Sequence, residues 1–223
     1  HYGTDEQKAR FLQPLLDGEI SSCYSMTEPH AGADPTLFDT TAVRDGDEWV
    51  INGYKWFSSN ARFAEFLIVM VVTNPEVSAY QGMSMFIVPA DAPGVKIMGA
   101  MHVFGEDHAP HGHMHIVFDN VRVPKDNILL GEGRGFEISQ VRLGPGRIHH
   151  CMRSIGQAEK ALDLMVQRGV SREAFGRKLA WLGGNVEHIS RARIDIEAMR
   201  LMVLKAAKAM DTLGNREARI WVH

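Results

Sequence analysis

The chain has 223 residues, 45% of them hydrophobic and 23% charged, with a formal net charge of −3. That length and composition suit a globular protein of one or two domains with a real core. The slight negative balance argues against a non-specific nucleic-acid binder or a polybasic membrane binder. The longest apolar run, Phe66-Leu67-Ile68-Val69-Met70-Val71-Val72, is far too short to span a bilayer.

Two cysteines, Cys23 and Cys151, make no disulfide framework and fit a reducing interior. No basic-then-apolar leader opens the chain. It starts at His1 inside a helical pattern and ends at Trp221-Val222-His223 with no stop signal, so truncation at both ends is expected.

Residues 5–17 predict the end of a helix. Thr4 serves as N-cap, and Gln7 three residues on completes a capping-box pattern. Phe11, Leu12, Leu15 and Leu16 recur at helical spacing, and Asp17-Gly18 stops the run. From about Ile20 the pattern turns to strands. Thr40 to Arg44 and Glu48 to Ile51 flank Asp45-Gly46-Asp47, a hairpin signal. Asn52-Gly53 reads as a second turn, with Tyr54 to Ser59 as a further strand. The run 66–72 reads as a buried strand, and 83–88, 95–98 and 114–123 continue the sheet, with Pro93-Gly94 turning between two of them.

After Pro124 the period changes to helical. Gly131 to Gly135 is a glycine-rich turn, and Phe136, Ile138, Val141 and Leu143 begin a helical stretch. Gly144-Pro145 reads as the start of a renewed helix, since proline suits a first turn better than an interior. Ile148, Met152, Ile155, Ala158, Leu162 and Met165 follow at helical spacing. A second long helix is predicted over 186–210, antiparallel to the first. Its charges Arg191, Arg193, Asp195, Glu197 and Arg200 read as a solvated or subunit-facing surface.

The stretch from Tyr24 to Asp34 stands out within this order. It alternates small and apolar side chains and turns sharply at Glu28-Pro29 into a small-residue loop. The hydroxyls of Ser25 and Thr27 are placed to line a polar ligand, and Ala31, Gly32 and Ala33 allow backbone to approach it closely. An ordinary strand-to-loop junction has the same features. His108, His111, His113 and His115 with Asp107 form a dense histidine cluster, but their spacing matches no zinc motif, so they read as a surface loop running into a strand, and no metal is expected.

Taken together, Tyr24-Ser25-Met26-Thr27-Glu28-Pro29-His30-Ala31-Gly32-Ala33-Asp34, Phe57-Ser58-Ser59 and Arg172-Glu173-Ala174-Phe175-Gly176 resemble the ordered motifs of the acyl-CoA dehydrogenase family. The likeness runs through nearly all of the chain. Gly131 to Ile138 and Arg142 to His150 resemble the subgroup that in animals is fused to a kinase-like domain. The resemblance implies an α+β fold: an antiparallel β-barrel or sandwich middle domain followed by an antiparallel helical bundle. Domain boundaries are then expected at 1–19 (tail of an N-terminal helical domain), 20–130 (middle domain) and 131–223 (first helices of the C-terminal domain).

The same resemblance implies FAD as cofactor. Tyr24, Met26, Thr27, Phe57, Ser58 and Ser59 would line the flavin, with Thr27 bonding the ring, Met26 supporting it through its backbone and Ser59 near N5. Phe57 stands where many members have tryptophan. Arg172 would reach the flavin pyrophosphate of a neighbouring subunit, with Phe175 packing nearby; planar guanidinium suits a diphosphate. Gly183-Gly184 replaces a glutamine that often helps hold the cofactor. On the acyl-CoA side the resemblance gives Ala33, where many members have serine, together with Gly144 and Arg147.

No catalytic base is assigned. Gly146 occupies the position where a minority of members carry glutamate, and Glu28 belongs to the turn. The implied activity is α,β-dehydrogenation of an acyl-CoA to the trans-2-enoyl-CoA, with electrons passed to an electron-transferring flavoprotein and the protein assembled as a homodimer or homotetramer. The expected location is intracellular and soluble: cytoplasmic in a bacterium, mitochondrial matrix or peroxisome in a eukaryote. Two other readings stay open. One is an acyl-CoA oxidase or flavin monooxygenase on the same scaffold; the other is a non-catalytic acyl-CoA or protein-binding module.

Overall fold

The computed structural model describes residues 1–222; the expected chain end at His223 lies outside them. The chain divides into two compact units, 1–139 and 140–223.

The first unit opens with α1 (Asp5–Gln7), a π-helical turn (Lys8–Leu12) and α2 (Gln13–Leu16). The predicted capping box is present. Thr4 Oγ1 accepts from the Gln7 N–H and Gln7 Oε1 accepts from the Thr4 N–H. Gly18 then takes a positive φ of 76°, which ends the helix as expected.

β1 (Ser22–Ser25), β2 (Thr41–Asp45), β3 (Glu48–Ser59) and β4 (Phe66–Val72) follow. A single turn, α3 (Ala79–Gly82), leads into β5 (Met83–Pro89), β6 (Val95–Ala100) and β7 (His113–Pro124). They form a seven-stranded sheet in the order β1-β4-β2-β3-β7-β6, with β5 also on β4. The expected sheet was antiparallel; this one is mixed. β1 runs parallel to β4, pairing Ser22 with Phe66 through Ser25 with Val69, and Thr41 meets Val72 in the same sense. Pairing between segments forty residues apart leaves no local mark in a sequence, so the parallel pairs were not legible.

The predicted hairpin holds: Asp45 pairs with Glu48 around Gly46-Asp47. Asn52-Gly53 is not a turn. β3 runs straight through it, and the irregularity lies in the ladder with β7, where Ile51 pairs Val121 but Gly53 pairs Phe118. The extra residue of this bulge is on β7, where Asn120 adopts φ 52° and donates its N–H to Asn52 Oδ1. Turn-forming residues also suit bulges, because both need left-handed backbone or a local side-chain cap. Gly53 serves close approach: a Cβ there would stand 2.6 Å from Thr40 Oγ1 and 2.7 Å from Thr40 Cα.

β4 explains its unbroken apolar run by being buried on both faces. Leu67, Val69 and Val71 join Trp49, Ile51, Phe86, Ile116 and Phe118 in one core cluster. Phe66 and Met70 join Met83, Met85 and Ile87 in another, on which Ile68 and Val72 pack. Each fully buried side chain of this kind contributes about 1.5–3 kcal/mol.

α4 (Gly135–Ser171) runs through Pro145 without a break, so the predicted restart at Gly144-Pro145 does not occur. Proline's fixed φ is itself helical. What it forfeits is one hydrogen bond, a loss that a 37-residue helix absorbs. In the second unit a two-stranded ribbon, β8 (Glu173–Ala174) with β9 (Arg177–Lys178), precedes α5 (Asn185–Val222). α5 extends beyond the predicted 210 and is interrupted at Gly214, whose φ of 80° and ψ of 170° are not helical.

α4 and α5 pack through Ile155, Leu162 and Ile196, with Ala158, Ile189, Ala192 and Val203 against them. The helices are antiparallel as expected: Asn215 Nδ2 donates to the Gln140 carbonyl, while Glu159 meets Arg193 and Arg200 farther along. Those two arginines therefore do not belong to a purely solvated face. Ile194, Met199, Leu201 and Leu204 stay exposed, because one helix-to-helix seam buries a single stripe of each partner.

Candidate functional site

In the first unit the two segments singled out in the sequence lie side by side. The Trp56 N–H donates to the Thr27 carbonyl at 2.8 Å. Ser25 Oγ and Ser58 Oγ lie 2.6 Å apart, both fully buried. Beneath them, Lys55 Nζ donates to the Met26 carbonyl at 2.9 Å and to Glu28 Oε1 at 2.7 Å. Four hydrogen bonds thus tie 25–28 to 55–58, although β1 and β3 share no ladder.

A second bulge shapes what these segments display. Lys55 pairs with Ile116 and Ser58 with Met114, so β3 carries one residue more than β7 over this step. Phe57 absorbs it with φ 52°. Its ring is 40% exposed, and Ser59 beyond it is exposed too. Thr27 and Tyr24 are half-buried, and the Tyr24 hydroxyl lies 3.7 Å from Met26 Sδ. Tyr24 and Met26 pack on the second core cluster. The Trp56 indole Nε1 is buried without a hydrogen-bond partner.

Glu28 is not available as a base. It is 2% exposed, and besides Lys55 it accepts the N–H groups of Asp39 at 2.7 Å and Thr40 at 3.2 Å. Burial alone would raise its pKa. The Lys55 charge and the Asp39 N–H outweigh that, and the carboxyl is held below its usual range. Lys55 is fully buried; desolvation brings it down to about 8 against the opposing pull of Glu28. Asp39, bonded beside the Glu28 carboxylate, is pushed up. The Lys55 ammonium also sits 4.6 Å from the centre of the Phe38 ring.

Ala33 lies exposed in the loop before Asp34, which caps the short 3₁₀ turn Pro35–Leu37. The histidines are divided. His113 and His115 lie on β7, while His111 sits in the preceding loop and meets Asn60 Oδ1 at 3.1 Å. Among the described residues no group of His, Cys, Asp or Glu is arranged to hold a metal. A hollow of about 710 Å³ is lined by Tyr2, Gln7, Phe11, Asn127, Ile128 and Leu130 among others; none of Thr27, Phe57 or Ser59 lines it.

The remaining predicted residues lie in the second unit. Ala174 pairs with Arg177 across the β8–β9 ribbon, leaving Phe175 and Gly176 as a two-residue turn with φ of 51° and 71°. Two positive φ values make this the primed turn that matches strand twist, and it presents the Phe175 ring 96% exposed. Arg172 is exposed just before it, and its N–H closes on the Arg168 carbonyl. Gly144 is buried because the Asn215 side chain fills the space a Cβ would take. The close approach that this glycine permits is thus to Asn215. Arg147 is exposed and borders a hollow of about 470 Å³ with Arg142, Leu143, Pro145, Gly146, His149 and His150. His150 Nδ1 accepts from Arg153 at 2.6 Å.

Against known families, residues 23–121 match the sequence model described as acyl-CoA dehydrogenase, middle domain, and residues 133–222 match acyl-CoA dehydrogenase, C-terminal domain. The chain belongs to the acyl-CoA dehydrogenase family. Among relatives, acyl-CoA dehydrogenase family member 11 of Gallus gallus is 51% identical over 223 residues, covering 98% of this chain and 29% of its own length. A probable acyl-CoA dehydrogenase of Mycobacterium tuberculosis, FadE2, is 51% identical over 221 residues, covering 98% and 54%. A solved protein of Mycobacterium abscessus assigned as an acyl-CoA dehydrogenase superposes with a TM-score of 0.93 at 47% identity, covering 99% of this chain and 55% of that one. A glutaryl-CoA dehydrogenase of Mycobacterium smegmatis, solved in complex with FADH2, gives 0.86 at 27% identity over 99% and 55%. This chain of the acyl-CoA dehydrogenase family therefore spans about a third to a half of these relatives. No helix among its described residues is long and apolar enough to cross a membrane.

Sequence reasoning missed Lys55 and Asn215, and read His113 only as one of a histidine cluster at the entry to a strand. Lys55 carried half a signal: a charged residue at an inward position of a strand demands a partner, but nothing local names Glu28, 27 residues away, as that partner.

Proposed function

We propose that this chain carries the flavin-holding portion of an enzyme that oxidises an acyl-CoA to its trans-2-enoyl-CoA with non-covalently bound FAD. The observation that carries the reading is the Trp56–Thr27 backbone bond with the Lys55 contacts beneath it, which set both flavin segments at one surface. The residues there fit an isoalloxazine ring. Phe57 offers an exposed aromatic face, Thr27 and Ser59 offer hydroxyls, and the Trp56 indole N–H is an unspent donor.

In this reading Thr27 bonds the ring, the Met26 backbone supports it, Tyr24 completes the lining and Ser59 stands by N5, while Ser58, fully buried against Ser25, lies behind the lining and not in it. Phe57 stacks on the ring. Arg172 reaches the diphosphate of a neighbouring subunit's cofactor and Phe175 packs beside it, which makes a homodimer or homotetramer part of the site. Ala33 and Arg147 are the acyl-CoA residues of this reading; Gly144, closed over by Asn215, is left out of it. The bound flavin supplies the two-electron acceptor for the β-hydrogen of the thioester, and an electron-transferring flavoprotein takes the electrons onward. No residue is assigned as the base for the α-proton: position 146 is glycine and Glu28 is fully engaged. The domain division 1–19, 20–130 and 131–223 belongs to the same reading.

The test is a visible absorption spectrum of the full-length protein, followed by anaerobic titration with a panel of acyl-CoAs. An oxidised-flavin spectrum bleached by one acyl-CoA supports the dehydrogenase half-reaction and ranks the substrates. A colourless protein that takes up no added FAD overturns it. Rapid reoxidation of the bleached flavin by oxygen points to the oxidase or monooxygenase reading.

A further inference from the structure

Ser59 does not stand alone on its strand. In the β3–β7 ladder it pairs directly with His113, and its Oγ lies 2.7 Å from His113 Nδ1. The imidazole is held from several sides. The His108 ring meets it edge-on at 5.2 Å between centroids, and the Phe57 ring lies at 6.4 Å. The next rung is closed by the Asn60 N–H donating to the Gly112 carbonyl at 3.1 Å. His111 reaches Asn60 as His113 reaches Ser59, so two histidines address two successive residues at the end of β3.

A serine hydroxyl has one proton and rotates freely, so its neighbours decide where that proton points. If Nδ1 is bare, Ser59 donates to it, and the serine oxygen can only accept from any other group. If Nδ1 carries the proton, it donates to Ser59, and the hydroxyl proton is released to face elsewhere. The tautomer of His113 thus fixes whether Ser59 offers a donor or an acceptor.

We propose that His113 is the positioning residue for Ser59, fixing its hydroxyl rotor and reversing it by a change of tautomer in which one ring nitrogen takes a proton from solvent as the other releases one. This rests on the reading that Ser59 faces the flavin. A ring nitrogen that accepts a hydrogen bond in one oxidation state and donates one in the other needs a hydroxyl that can reverse, and His113 supplies the reversal.

The experiment uses the full-length protein with FAD and the variants S59A, H113A, H113N and S59A/H113A. The readout is the midpoint potential of the bound flavin by spectroelectrochemistry. The expected result is that H113A moves the potential to the S59A value, that the double variant moves it no further, and that H113N returns most of it, since the asparagine amide can replace Nδ1. Additive shifts, or an H113A potential equal to wild type, overturn the proposal while leaving the flavin reading intact. Failure of wild type to take up FAD overturns both.

A second measurement covers an H113A variant that does not fold. The ¹⁵N shift of His113 Nδ1 in the FAD-free full-length protein is compared with that in S59A. A moved resonance supports the pair, and an unmoved one overturns it.

Discussion

Lys55 Nζ lies 2.7 Å from Glu28 Oε1, and neither side chain is more than 2% exposed. The pair is also tied to the Met26 carbonyl and to the Asp39 and Thr40 N–H groups, so every charge-bearing atom has a partner. Desolvating two charges is costly, and such a pair is weak evidence of net stabilisation. What it does supply is position: the ammonium holds the Met26 carbonyl and the Glu28 turn against β3 together.

Lys55→Met would leave Glu28 buried and unpaired. The expected cost is about 3–5 kcal/mol, and Lys55→Met/Glu28→Gln is expected to recover much of it. Thermal and urea unfolding of the full-length protein check this. A double variant as unstable as the sum of the singles would show that the two residues act independently.

The pair also sets a pH dependence. The folded-state pKa of Lys55 is lowered to about 8, against roughly 10.4 for an unfolded lysine. Between those values the unfolded chain binds the extra proton, so the Lys55 contribution makes stability rise with pH there. Glu28 acts at the acid end. Its folded pKa is depressed, so its contribution is complete above the ordinary glutamate range and is lost as pH falls through the folded value. In Lys55→Met the acid limb should invert, because a lone buried carboxylate gains stability on protonation. Urea midpoints from pH 3 to 10 for both proteins would show the inversion or its absence.

Two glycines should respond in opposite directions to alanine. Gly53→Ala forces a Cβ against Thr40 at a φ of 143°, and a loss of more than about 1 kcal/mol is expected. Gly156 lies within α4 with nothing within 4 Å of a Cβ, so Gly156→Ala should stabilise by roughly 0.5–1 kcal/mol. Melting temperatures of the two variants give the comparison directly.

Between α4 and α5, Arg193 grips Glu159 with both terminal nitrogens, at 2.8 and 2.9 Å. Its hydrogen bond is the leading cause of the lowered Glu159 pKa. Arg193→Lys keeps the charge but loses the fork. It should lower the melting temperature, with a difference from wild type that shrinks in high salt. A lysine variant matching wild type at low salt would mean that charge alone suffices.

Much of the fold was legible where one local rule acted alone. The Thr4–Gln7 box, the Asp45–Glu48 hairpin and the doubly buried strand at 66–72 each declare themselves within a few residues. The misreadings arose where two outcomes share one chemistry. Asn52-Gly53 suits a turn and equally a bulge. Gly144-Pro145 suits a helix start, yet proline's φ also allows a helix to pass through. Gly214 breaks α5 although the apolar spacing continues on both sides. In the site, the two segments proposed to hold the flavin could be picked out from their motifs. The lock between them could not, because Lys55 and Glu28 are 27 residues apart and a single sequence does not show which acid meets which base.

The extra residue at Phe57 sets the parity of the strand. Lys55 and Ser58 face inward across it, and Ser59 faces outward with His113 opposite. Side chains in a strand alternate with a period of two, so the odd step from 55 to 58 brings both inward only because the bulge takes up one residue. Deleting Phe57 would give an even step and a regular ladder with β7, leaving Ser58 inward and Ser59 outward. What a single-codon deletion there would take away is the exposed ring alone, whereas the same deletion on the far side of the bulge, among Gly53 to Lys55, has no spare residue to draw on and would turn neighbouring side chains over.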